Sequence, residues 1–266
     1  FTPIIYEKPD IIEPEKLRYD TDFLAGYMVH KYDANDGLFH SILTDLSHKL
    51  KHNITFTMMT GEPAKLFKRN ARLELFKCPY FFVFDIKSKP LRRWIIRGPE
   101  MLNSTYLHQT IKLIRQREIP PTLISEPDPQ ESSVVLYRHL VASNFKKSIL
   151  DEQNRDSVVL FLTPWAQRCP KYQFVLRRIA TLLKDTQVRV FWFDATQNDL
   201  PDSVPNIFGF PTVCMWPAGK KDQQPAMYTG KCTIQTIMKF IHEHASKTFV
   251  IPDSDYIETR LIDENL

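Results

Sequence analysis

Residues 158–172 read Val-Val-Leu-Phe-Leu-Thr-Pro-Trp-Ala-Gln-Arg-Cys-Pro-Lys-Tyr. The unbroken apolar run Val158–Leu162 predicts a buried strand, which enters the turn Thr163-Pro164-Trp165. A helix pattern follows from Cys169, and over Gln173–Leu183 it places Phe174, Val175, Ile179 and Leu182 on one face. A second strand is expected at Val188–Phe193. Phe208-Gly209-Phe210-Pro211-Thr212-Val213 then reads as a turn entering a third strand. Pro217–Lys221 marks a hairpin turn, and Tyr228-Thr229-Gly230 precedes a last helix from Thr233 to His244.

Taken in order, these segments resemble the second catalytic domain of protein disulfide isomerases, over roughly residues 133–245. The resemblance implies a thioredoxin fold and a cis peptide bond at Pro211. It also implies a reactive C-x-x-C dithiol at the strand-to-helix turn. Here the first cysteine position is Ala166, and the pair between is Gln167-Arg168 instead of Gly-His; only Cys169 remains. Disulfide exchange needs an exposed thiolate to attack a disulfide sulfur, and the methyl of Ala166 cannot do so. By the same alignment, Leu160 stands where catalytic members carry a proton-shuttling glutamate. Cys232 stands where they carry a thiol-tuning arginine. Two accounts of Ala166 remain open: natural loss of the cysteine, or its replacement in a chain whose native motif is Cys-Gln-Arg-Cys. In the second case Arg168 would favour a nearby thiolate. Alignment also brings the Cys232 loop towards Cys169, so an atypical Cys169–Cys232 pair is one expectation.

The first half is similar to the non-catalytic, substrate-binding domain of the same family. Phe1–Glu7 resembles its opening segment. Gly37–Leu50 reads as an amphipathic helix, Ile54–Met59 as a strand and Ser104–Arg117 as a helix. Cys78-Pro79-Tyr80 repeats the proline-then-strand feature. The expected fold class is therefore α/β, with two tandem thioredoxin-like domains, each a mixed sheet flanked by helices. The expected boundaries are 1–118 for the first domain and 119–132 for a Pro-rich acidic linker. The second domain is expected at 133–245 and a C-terminal extension at 246–266.

Composition suits two soluble globular domains: 266 residues, 43% hydrophobic, can bury two moderate cores. No apolar run approaches the ~20 residues of a membrane span. A net charge of +4, with basic and acidic residues interleaved, gives no case for nucleic acid. There is no Gly-rich phosphate loop, and no cofactor is expected. His48 and His52 have i, i+4 spacing, but no third ligand completes a metal site. The chain lacks an initiator Met and a signal pattern, as expected of a processed chain or fragment. Asn53-Ile54-Thr55 and Asn103-Ser104-Thr105 are glycosylation sequons. With the resemblance, they favour the endoplasmic reticulum lumen. Asp263–Leu266 only loosely resembles a retrieval tetrapeptide.

Without a nucleophile, the scaffold keeps two recognition devices. Backbone ahead of Pro211, with Phe210 and Trp165 beside it, could pair with an extended peptide. Leu38, Phe39, Leu75 and Phe76 are candidates for a hydrophobic client pocket, against core packing as the plainer reading. Cys78 and Cys214 read as buried small hydrophobes. The expected function is a redox-impaired, disulfide isomerase-like chaperone or scaffold of the endoplasmic reticulum. Its partners would be unfolded or glycoprotein clients, or a protein partner in a complex. The alternative is a thiol-disulfide oxidoreductase lacking its nucleophile, with an ER mannosidase of glycoprotein degradation as a candidate partner.

Overall fold

A computed structural model describes residues 21–29, 36–50, 53–88, 91–130 and 134–251. Phe1–Glu7, His52 and the tail tetrapeptide lie outside them. The chain divides between Thr122 and Leu123 into two compact units.

The first unit contains β1 (Phe23–Met28), α1 (Asp36–Lys49), β2 (Ile54–Met59), α2 (Gly61–Asn70), β3 (Tyr80–Asp85), β4 (Arg92–Ile96) and α3 (Ser104–Arg115). Its sheet runs β2-β1-β3-β4, with β1 parallel to β2 and antiparallel to β3. Strand alternation sends Ala25, Tyr27, Phe81 and Val83 towards α1 and α3. Leu24, Met28, Phe82 and Phe84 face the opposite layer, formed by α2. Gly26 is required by close approach: a Cβ there would lie 1.8 Å from the Thr57 carbonyl oxygen on β2.

The second unit contains β5 (Tyr137–His139), α4 (Ala142–Phe145) continued by a π-helical turn (Lys146–Leu150), β6 (Asp156–Leu162), α5 (Cys169–Leu182), β7 (Val188–Asp194), β8 (Thr212–Trp216), β9 (Ala226–Tyr228) and α6 (Ile234–His244). Its sheet runs β5-β7-β6-β8-β9. The stretch β7-β6-β8-β9 repeats the order and directions of β2-β1-β3-β4, and β5 adds a parallel edge strand. One thioredoxin-like topology is thus used twice. The prolines entering β3 and β8 are both cis, at Cys78-Pro79 and Phe210-Pro211.

The central strand β6 is buried at every position. Val158, Leu160 and Leu162 pack towards α5 and α6, while Val159 and Phe161 pack towards α4. A strand covered on both faces reads as a continuous apolar run, which is why this segment stood out in the sequence.

The expected linker is shared between the units. Trp94 Nε1 donates to the Ile119 carbonyl at 3.0 Å and Thr122 N to Arg93 O at 2.7 Å, both within the first unit. In the second unit, Ile124 N donates to Asp199 Oδ2 at 2.8 Å and Glu126 N to Asn198 Oδ1 at 3.0 Å.

Candidate functional site

β6 delivers the chain to a turn at its C-terminal end. Thr163 is buried, Pro164 is exposed, and Trp165 is 74% exposed. Ala166 is half-buried, while Gln167 and Arg168 are exposed. Ala166 N donates to Thr163 O at 3.2 Å and Cys169 N to Ala166 O at 2.9 Å, so the turn closes tightly onto α5. Cys169 is the first residue of that helix, and Pro170 occupies the first turn, where its missing N–H costs nothing.

Cys169 is only 2% exposed. Burial pushes its thiol above the ordinary range, and the Asp194 carboxylate pushes the same way. A backbone hydrogen bond from Thr163 works against both but does not prevail. Beneath it, Leu160 contributes an apolar side chain to the same core cluster, so no carboxylate from β6 is available there. Ala166, Phe210, Tyr172 and Cys232 pack against this cluster from its rim. Burial likewise raises the Cys232 thiol, opposed by the charge of Lys171. All four cysteines are free thiols, so the expected Cys169–Cys232 pair is not formed.

Phe210 and Pro211 are half-buried ahead of β8. Thr212 Oγ1 donates to Gly209 O at 2.7 Å and shapes this turn. Phe208 is 96% exposed and was not among the expected site residues. Its signal was present, a phenylalanine two residues before the Phe-Pro pair, but exposure cannot be read from residue type. Asp194 was also missed, because its effect on Cys169 arises only where β7 ends beside the turn.

The four residues expected to form a client pocket in the first unit do not come together. Phe39 turns inward, stacked on Tyr27 with ring centroids 4.4 Å apart, in the layer under α1 and α3. Phe76 packs in the α2 layer on the opposite sheet face, with the Arg97 guanidinium 5.7 Å from its ring centroid. Leu38 and Leu75 are exposed. The sheet itself stands between them: α1 covers one face, and the loop that follows α2 packs Phe76 against the other. Cys78 also departs from expectation. It is half-buried, with Lys68 Nζ 3.8 Å from its sulfur. Cys214 is fully buried, and burial pushes its thiol up to about 12.

Both sequon asparagines are exposed. Asn53 adopts a left-handed φ of 59° just before β2. Asn103 caps α3, its Oδ1 accepting from Tyr106 N at 3.0 Å. That cap leaves Nδ2, the atom to which a glycan attaches, outside the bond.

A family model described as thioredoxin matches residues 137–243. The chain is 32% identical over 208 residues to a protein disulfide-isomerase of Aspergillus niger, covering 73% of this chain and 38% of that protein. A protein disulfide-isomerase of Arthroderma benhamiae matches at 26% over 231 residues, 83% of this chain and 42% of the relative. The chain carries a thioredoxin domain and is similar to members of the protein disulfide isomerase family. A third family member, from Humicola insolens, is 36% identical over 133 residues, covering 48% of this chain and 25% of its own. The chain thus spans less than half the length of these relatives. Among solved structures, a crystal form of ERdj5 aligns with a TM-score of 0.36 at 13% identity, covering 93% of this chain and 30% of that one.

Proposed function

We propose that this chain is redox-impaired and acts in the endoplasmic reticulum lumen by binding extended polypeptide, as a chaperone or scaffold for unfolded clients, glycoproteins or a partner protein. The observation that carries the reading is the pairing of Ala166, at the nucleophile position, with a Cys169 that is only 2% exposed. Neither supplies an accessible thiolate. What stands outward instead is aromatic: Trp165 and Phe208, with Phe210 and Pro211 at the entry to β8. Exposed aromatic side chains suit the apolar residues of an unfolded chain, and backbone at a strand entry suits strand addition. The exposed sequon asparagines, together with the family, support the compartment.

A second reading, an oxidoreductase deprived of its first cysteine, is favoured by the position of Cys169 at the head of α5 beside Arg168. One experiment addresses both. A labelled unstructured peptide rich in aromatic residues is titrated into the chain and into its Trp165→Ala/Phe208→Ala variant. Disulfide exchange on a dithiol peptide is measured for the chain and for Ala166→Cys. The binding reading expects saturable binding, weakened at least fivefold in the double variant, and no exchange in either protein. Unaltered peptide affinity counts against it. Exchange by Ala166→Cys transfers the case to the oxidoreductase reading.

A further inference from the structure

The start of β6, at the far end of the strand from the Trp165 turn, carries chemistry that the turn does not use. There the sheet face covered by Phe145 and Ile149 changes character. Ser157 of β6 pairs with Arg189 of β7, and Phe191, two residues on, pairs with Arg138 of β5. Strand alternation places these four side chains on one face. The helical segment over that face ends at Leu150, leaving the strand ends uncovered. Lys147 and Ser148 reach the opening from its last turn, and Arg155 from the loop before β6. The result is a cleft of about 410 Å³ lined by all of these residues.

Among the described residues that line it, basic side chains predominate: Arg138, Lys147, Arg155 and Arg189 outnumber the one carboxylate, Glu152, whose Oε1 accepts from Asn154 N at 3.0 Å. Like charges gathered in a concave site repel one another and raise the local concentration of anions. The guanidinium groups are also held in place. Arg189 Nη1 donates to the carbonyls of Thr186 and Val188, each at 2.9 Å, and Arg138 Nε donates to Val135 O at 3.0 Å. Preorganised guanidinium forks match the oxygens of a tetrahedral oxyanion.

The floor of the cleft supplies a directed hydroxyl. Ser157 is 1% exposed, and its Oγ accepts from the buried Lys221 Nζ at 3.0 Å. A hydroxyl that is accepting still has its own O–H to donate. Lys221, itself anchored to Trp216 O at 2.9 Å, adds a positive charge one hydrogen bond behind the floor.

We propose that this cleft is an anion-binding site for a small ligand carrying one or two phosphoryl groups, held by Arg138, Lys147, Arg155 and Arg189, with Ser157 donating from the floor. A volume of about 410 Å³ falls within the range of small-molecule sites.

The test is calorimetric titration of the intact chain with pyrophosphate and with inorganic phosphate, against acetate and chloride at matched ionic strength. The expected result is saturable one-to-one binding of pyrophosphate. It weakens at least tenfold in Arg189→Gln and at least fivefold in Arg155→Gln and Lys147→Gln. Lys171→Gln, on α5, leaves it unchanged. If Arg189→Gln fails to fold, the two exposed positions carry the test. Absence of saturable binding, equal binding of acetate, or affinity unaffected by Arg155→Gln and Lys147→Gln overturns the proposal.

Discussion

Glu126 and Asn198, 72 residues apart in sequence, hold each other through two hydrogen bonds: Glu126 N donates to Asn198 Oδ1 at 3.0 Å, and Asn198 Nδ2 donates to Glu126 Oε2 at 2.7 Å. The buried amide does more. Its Oδ1 also accepts from Ala142 N at 3.1 Å, and its Nδ2 also donates to Asp194 O at 3.1 Å. One side chain thereby ties the proline-rich segment, the start of α4 and the end of β7 together.

Replacing Asn198 by Ala leaves the buried N–H of Ala142 and that of Glu126 without their acceptor, a loss of roughly 2–4 kcal/mol. Asn198→Asp keeps the acceptor but sets a carboxylate against Glu126 and the Asp194 carbonyl, so it recovers less than half of that loss at pH 7. Denaturant unfolding of the second unit, followed by near-UV circular dichroism, reads both. An Asn198→Ala variant as stable as the parent contradicts the role assigned to this amide.

Lys221 gives a pH dependence. Burial lowers its pKa to about 8, and the charges of Asp156 and Glu152 only partly offset this. Unfolded, the amine returns to its ordinary value of 10.5. Between about 8 and 10.5 the unfolded chain therefore binds the extra proton, and this group's contribution to stability rises with pH. The parent should gain stability relative to Lys221→Met as pH rises through that window. Comparing the two proteins cancels the opposite trend from buried tyrosines and Cys214, whose raised pKa values erode stability at high pH. A parent–variant difference that stays flat or falls across the window contradicts the assignment.

Phe39 and Leu75 separate core from surface. Phe39 is 3% exposed and Leu75 is 69% exposed. Phe39→Ala should cost roughly 3–5 kcal/mol through lost burial and the cavity left against Tyr27. Leu75→Ser should fall within about 0.5 kcal/mol of the parent. Unfolding midpoints for the first unit decide it, and the reverse ranking would return Phe39 to the list of surface contacts.

The thiols should differ in reactivity. Cys78 and Cys232 are half-buried, whereas Cys169 and Cys214 are 2% and 0% exposed. An aromatic disulfide reagent at pH 8 should modify the first two promptly and the last two at least tenfold more slowly, with all four reacting in denaturant. Native-state modification of Cys169 as fast as Cys232 would show an accessible thiol at the turn and weaken the redox-impaired reading.

Elements with strong local signals are legible in the sequence. Val158–Leu162 was visible because a strand covered on both faces must be apolar throughout. Residue Thr233 was visible as a helix start, and its Oγ1 does accept from Thr236 N at 3.2 Å. Less legible were β1, whose Ala25-Gly26 pair has weak strand propensity, and α2, with a proline near its start. Gly26 is chosen by the proximity of Thr57, a long-range contact that leaves no local mark.

The sequence by itself determined the repeated α/β topology, the helix-entry turn with Ala166 in place of a nucleophile, and the two prolines that enter β3 and β8. These are properties of residue type and order along one strand or turn. Tertiary structure alone decided which apolar residues are surface and which are core. It sent Phe39 and Phe76 to opposite sides of one sheet and left Phe208 in solvent. It also gathered Arg138, Arg155 and Arg189 around one cleft. Hydrophobic and charged side chains act through their neighbours in space, and those neighbours are set by strand pairing and register rather than by distance along the chain.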